Sequence, residues 1–222
     1  MLQQINKKII FYISLVIILG TFNNKNLKNF DLPKIALVNI EGIEFNDNEY
    51  LKIINLIKLD NLFSVQKSQI KEILNSNNLI EEYEVFKKYP SSIEIKIKKT
   101  NFLASTNVNV KNYIVGSNGK FIDAKHYSKN LPFVFGNFEI KKFLEFKNII
   151  LQTEFKYNNI KNFYYFPSGR WDIEMNSEVL IKLPITGIKE SLNLSIDLLD
   201  DIEFSNIKIL DIRQKNQIVI ND

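Results

Sequence analysis

The sequence predicts an α+β protein in three successive parts: an N-terminal transmembrane helix, a compact β-α-α-β-β unit, and a mainly antiparallel β domain with two or three helices. Three observations predict it. Residues 9–19 carry no charge and a single polar side chain, Ser14. Residues 92–98 alternate strictly, with Ile93, Ile95 and Ile97 against Glu94, Lys96 and Lys98, the period of a half-buried strand. After Thr100, short apolar runs recur between turn pairs such as Asn118-Gly119 and Ser168-Gly169, as in a mainly antiparallel sheet.

The apolar stretch lacks the polar stripe of a buried amphipathic helix. A cleaved leader and an uncleaved anchor both fit its length. Thr21, Phe22, Asn23 and Asn24 make a poor cleavage site, and residues 5–22 nearly span a bilayer if Lys7 and Lys8 reach up to the interface. The anchor is therefore favoured, with 1–8 as a short cytoplasmic tail, 9–22 as the anchor and 23–33 as a polar linker. A tail of eight residues cannot fold while the rest can, so the N-terminus is expected inside and the folded part outside the cytoplasm.

Residues 34–45 alternate Ile35, Leu37 and Asn39 with Ala36, Val38 and Ile40, which predicts a strand covered on both faces. Asp47 or Asn48 caps a helix to about residue 57, with Leu51, Ile54 and Ile57 on one stripe. A second helix covers 68–76 with Ile70, Ile73 and Leu74 inward. A strand over 80–86 and a turn over 87–90 then lead into 92–98, a hairpin that closes a unit spanning 34–100.

In the remaining part, 101–222, strands are predicted at 102–108, 113–115, 121–122, 133–135, 163–166, 171–175 and 179–183. Helices are predicted near 140–151 and 189–199, and one or two strands over 207–220. Trp171 reads as a core anchor.

Chemistry is sparse. Without cysteine there is no thiolate, disulfide or Cys nucleophile. His126, the only histidine, lies in a polar run with no serine on a glycine elbow nearby. Glu81-Glu82 and Asp200-Asp201 are sequential, so on a strand each pair points to opposite faces and reads as solvated charge. Gly116, Gly119 and Gly136 are too far apart to cradle a phosphate. The formal charge of +4 comes from lysines scattered singly, not from a basic patch interleaved with aromatics, which argues against nucleic-acid binding. No enzyme, cofactor, metal or small-molecule substrate is expected. Residues 207–220 attract attention because their far edge has no sequence left to cover it, and a bare strand edge invites a second chain to pair with it.

Several motifs in one order resemble the FtsQ/DivIB family of bacterial cell-division proteins. The β-α-α-β-β unit after an anchor resembles a POTRA domain, and residues 85–95, from Val85 through Tyr89-Pro90 to Ile95, are similar to the family's V-x-K-x-Y-P-x-x-L-x-I. Gly119 with Phe121, Leu131-Pro132 with Gly136, Arg170-Trp171 with Leu183-Pro184, and Asp211-Ile212-Arg213 follow. The resemblance implies a single-pass inner-membrane scaffold at the division septum that binds FtsB and FtsL, with FtsB adding a strand to the last one. Carried over, the partner-binding residues are Arg213, Gln214, Lys215, Asn216, Gln217 and Ile218, with Arg170 a second candidate. Arg213 would pair with an acid of the partner. POTRA units also occur in secretion and outer-membrane assembly factors, the alternative reading, but those carry several such units or a long barrel.

Overall fold

The computed structural model describes residues 7–22, 33–42, 47–58, 61–65, 67–124, 130–200, 207–214 and 217–221. Helix α1 (Lys7–Phe22) is apolar around its whole circumference, and its side chains from Ile9 to Leu19 are exposed on every side. No helix among the described residues is long and apolar enough to cross a membrane.

Strand β1 (Leu37–Glu41), helices α2 (Asp47–Lys58) and α3 (Lys67–Ser76), and strands β2 (Ile80–Lys88) and β3 (Ser92–Lys99) form the first unit in the predicted order. Its sheet runs β1-β3-β2, with β1 parallel and β2 antiparallel to β3. Both helices lie on one face, where Ile53, Ile57, Ile70 and Leu74 pack against Ile93, Ile95 and Ile97. Three expectations are corrected here. The first strand is buried on one face only, because both helices cover the same face of the sheet: Val38 is buried while Leu37 is 61% exposed. On α2 the inward stripe is Ile53, Ile54 and Ile57, and Leu51 falls outside it. The polar pair Lys87-Lys88 belongs to β2, not to the turn.

The second unit is one nine-stranded sheet, ordered β12-β11-β10-β9-β8-β7-β4-β5-β6. Its strands are β4 (Phe102–Val108), β5 (Lys111–Gly116), β6 (Phe121–Asp123), β7 (Phe133–Phe135), β8 (Ile160–Tyr165), β9 (Trp171–Met175), β10 (Leu180–Lys182), β11 (Ile209–Gln214) and β12 (Gln217–Asn221). Most neighbours are antiparallel, but β4 with β7, β7 with β8 and β10 with β11 are parallel. Helices α4 (Ile140–Ile150) and α5 (Ile188–Leu199) supply Phe143, Phe146, Ile150 and Leu192 to the core. The row Val134, Phe163, Ile173, Ile181, Leu210 and Ile220 crosses the sheet on this buried face.

Trp171 is indeed a core anchor: it is 3% exposed and its indole stacks on Phe146 at 4.9 Å and 4°. Gly136 makes the tight passage from β7 to α4 possible. Its φ is +99°, and a Cβ there would stand 2.1 Å from the Tyr165 carbonyl oxygen, so any side chain would force the backbone apart.

The two units are clasped at the β5–β6 turn. The Asn118 amide donates to the carbonyls of Asn78 and Ile80, both at 2.9 Å, and the Ser117 hydroxyl donates to Glu81 at 2.6 Å. Glu81 is thus a half-buried joint residue, not plain solvated charge; its neighbour Glu82 does face solvent, paired with Lys98 at 3.2 Å. The sequence masked this because the hydroxyl that Glu81 accepts from lies 36 residues away.

Candidate functional site

Cross-strand register places a second row of side chains on the sheet face opposite the helices. It runs Phe135, Tyr164, Asp172, Lys182, Asp211 and Val219 across six strands. The first two rings stack at 5.0 Å and 9°. Negative, positive and negative side chains then alternate through Asp172, Lys182 and Asp211, each directly opposite the next, so the ladder is mutually attractive.

Each aspartate is held by an arginine two residues away on the chain. On one side Arg170 donates to both oxygens of Asp172 at 3.1 and 3.2 Å, and its guanidinium lies 4.0 Å over the Phe166 ring. Asp172 is 2% exposed and also accepts from the Leu183 N–H at 3.3 Å. Burial raises its carboxyl above the usual aspartate value, against the lowering pull of Arg170 and, more weakly, of Arg213. On the other side Arg213 donates through Nε and Nη2 to Asp211 at 2.8 and 2.6 Å. The Arg213 bonds outweigh burial and hold the Asp211 carboxyl below its usual value.

The ladder ends at a bare edge. Strand β12 pairs with β11 on one side and with no strand among the described residues on the other. It exposes Ile218 and Val219, at 39% and 52%. Strand β2 is also an edge, but its solvent face carries the Lys88–Glu94 and Lys98–Glu82 pairs, which shield an edge from association. Beside the end of β11, on the helix side, a groove of about 440 Å³ is lined by Pro184, Leu194, Ile212 and Gln214 among others.

Of the residues singled out from sequence, Arg213 and Gln214 end β11, while Gln217 and Ile218 begin β12. They surround the hairpin turn, not one continuous strand. Lys215 and Asn216, between them, lie outside the described residues, as does His126. Arg170 and Arg213, distant in sequence, share one face and one charge ladder. Asp172, Lys182 and Val219 were missed. The signal was present: Arg170 with Asp172, and Asp211 with Arg213, are spaced by two, which on a strand means the same face. Among the described residues no cluster of three or more His, Asp or Glu side chains is placed to hold a metal.

The arrangement is a charged sheet face leading to a strand edge that no strand among the described residues covers. The model of the POTRA domain, FtsQ-type, matches residues 34–99, and that of the cell division protein FtsQ/DivIB C-terminal domain matches residues 104–213. The chain belongs to the FtsQ/DivIB family of cell-division proteins.

It is 29% identical over 138 residues to the cell division protein DivIB of Clostridium botulinum (strain Loch Maree), a match covering 60% of this chain and 50% of that protein's length. It is 26% identical over 196 residues to the cell division protein FtsQ of Rickettsia bellii, covering 84% of this chain and 72% of the relative. The extracytoplasmic domain of DivIB from Geobacillus stearothermophilus aligns with 50% of this chain and 99% of that one, at 13% identity and a TM-score of 0.36.

Proposed function

We propose that this chain is a non-enzymatic scaffold of the division machinery, held in the inner membrane by α1 and docking FtsB, together with FtsL, outside the cytoplasm at the septum. The observation that carries the proposal is the bare edge of β12, with Ile218 and Val219 exposed beside it. A partner strand laid along that edge satisfies its free N–H and C=O groups, and side chains on alternate positions set specificity. Gln217 and Ile218 belong to that strand, Arg213 and Gln214 reach it from β11, and Lys215 and Asn216, which lie between them in the sequence, complete the proposed contact set. Arg213 contributes the charge: its side chain is 43% exposed, so a partner carboxylate joins or displaces Asp211 there. Arg170 acts from further back, through Asp172 and the ladder.

Helix α1 supports the anchoring. Ten of its large apolar side chains, from Ile9 to Leu19, are at least 40% exposed. A helix apolar all round and exposed along its length is at home in lipid.

The test uses the full chain in nanodiscs with the extracytoplasmic segments of FtsB and FtsL. Arg213→Glu is expected to abolish measurable FtsB binding while the chain stays folded, its melting temperature lowered only slightly by loss of the half-exposed pair with Asp211; wild-type affinity in that variant would remove the interface. A fluorescent fusion of the full chain is expected at midcell, and a uniform envelope signal would count against the septal role.

A further inference from the structure

One end of the POTRA domain carries two aromatic rings that its core does not use. Phe63 is 65% exposed and Tyr89 66%, and their rings face each other at 5.7 Å and 51°. Leu62, at 1% exposed, fills the core position in the same turn. Phe63 is nevertheless rigidly presented. The Asn61 side-chain oxygen accepts from the backbone N–H groups of Phe63 and Ser64 at 2.9 and 3.0 Å. The Lys87 ammonium ties the turn down by donating to the carbonyls of Leu62 and Val65.

The same end is where the chain arrives from α1. Lys34 bridges to Asn61, and the Ala36 N–H donates to the Ser91 carbonyl at 2.9 Å, beside the turn that bears Tyr89. Only residues 23–33 separate α1 from Lys34, and eleven residues reach at most about 40 Å even fully extended. Whatever surface holds α1 therefore lies within about 40 Å of Lys34, on whose side of the domain Phe63 and Tyr89 sit. Lys34 is exposed at this end, and Lys88, paired with Glu94 at 2.9 Å, still leaves its side chain 60% exposed beside Tyr89. Aromatic rings flanked by cations are the side chains that settle in the headgroup layer of a bilayer, the ring among the upper acyl chains and the charge among phosphates.

We propose that Phe63 and Tyr89 insert into the interfacial layer of the membrane that holds α1, so that the POTRA domain rests on the lipid surface instead of hanging free on its linker. This rests on the reading of α1 as a membrane anchor. The partner is the lipid surface itself, and the two rings are its contact.

The chain has no cysteine, so single nitroxide labels can be placed without removing a native thiol. The full chain is reconstituted in nanodiscs of phosphatidylethanolamine and phosphatidylglycerol. It is labelled singly at Phe63→Cys, Tyr89→Cys, Ser14→Cys in α1 and Ser168→Cys in the β8–β9 turn. Collision with oxygen relative to a water-soluble nickel chelate reports depth. The labels at 63 and 89 are expected to favour oxygen several-fold over the label at 168, approaching the label at 14. The double variant Phe63→Ser with Tyr89→Ser, carrying a label at Lys34→Cys, is expected to raise nickel access there without lowering the melting temperature.

If the label at 14 lies in lipid while those at 63 and 89 are as aqueous as the one at 168, the inference fails and the anchor stands. If the label at 14 is itself aqueous, the anchor reading falls and takes the inference with it. Labels at 63 and 89 that become protected only when division proteins are added would overturn lipid contact in favour of a protein surface.

Discussion

The open face of the large sheet holds the same ion pair twice, and the two copies behave in opposite ways. Arg170 with Asp172 and Arg213 with Asp211 are each separated by two residues along the chain, the first arginine standing just before β9 and the second within β11, and both pairs are joined by two or more hydrogen bonds. In the first the side chains are 21% and 4% exposed; in the second they are 43% and 15%. Deep in the sheet, loss of hydration outweighs the arginine and raises the Asp172 carboxyl, whereas near the edge the arginine wins and lowers that of Asp211. Identical chemistry is thus closed off at the centre and left reachable at the rim, as the recognition role proposed for Arg213 requires.

Breaking one partner of each pair separates the two roles. Arg170→Ala leaves a buried carboxylate without its cation and is expected to cost about 3–5 kcal/mol of stability, read by urea denaturation. A loss no larger than that of an ordinary surface substitution would mean the inner pair is not structural.

Proline substitution along β12 sharpens the contrast at the rim. Successive N–H groups of a strand point to opposite sides, so of Ile218→Pro and Val219→Pro one removes a donor to β11 and the other a donor on the free edge. The substitution at the free side is expected to leave the melting temperature nearly unchanged and weaken FtsB binding at least about tenfold. If neither variant loses binding, strand addition is not the docking mode.

The smallest effect is in pH dependence. Buried Asp172 keeps its proton in the folded state to a higher pH than in the unfolded chain, so its contribution to stability falls as pH rises from 3.8 through its raised value. Asp211 has a lowered value, so the stability it contributes is present above 3.8 and is lost as pH falls through that lowered value. Denaturation midpoints of Asp172→Asn and Asp211→Asn, each compared with wild type across the acid range, are expected to diverge with opposite slopes. Parallel curves would mean that burial does not distinguish the pairs.

Much of the fold was legible because it rests on period. The alternation at Ile93, Ile95 and Ile97 and the helical spacing at Ile70, Ile73 and Leu74 predicted both the elements and the faces they bury. What failed depends on neighbours the period does not name. Leu37 looks as apolar as Val38, and only the packing of both helices on one face of the sheet decides which is inside. The candidate site was half visible. Arg213 and Arg170 were picked out by resemblance, but the ladder that joins them through Lys182 is created by the parallel pairing of β10 with β11, which no local pattern encodes.

The three-residue strand β7 has one further consequence. It is the rung that joins β4 to β8, parallel to both, and the Thr106 hydroxyl donates to the Val134 carbonyl across a separation of 28 residues. The β4–β5–β6 meander and the β8–β9 hairpin can each zip locally, whereas the middle of the sheet waits on closure of those longer loops. Assembly should therefore proceed in two kinetic stages, with the seam at Phe133–Phe135 closing late and two preformed sheet fragments exposing raw edges to one another until it does.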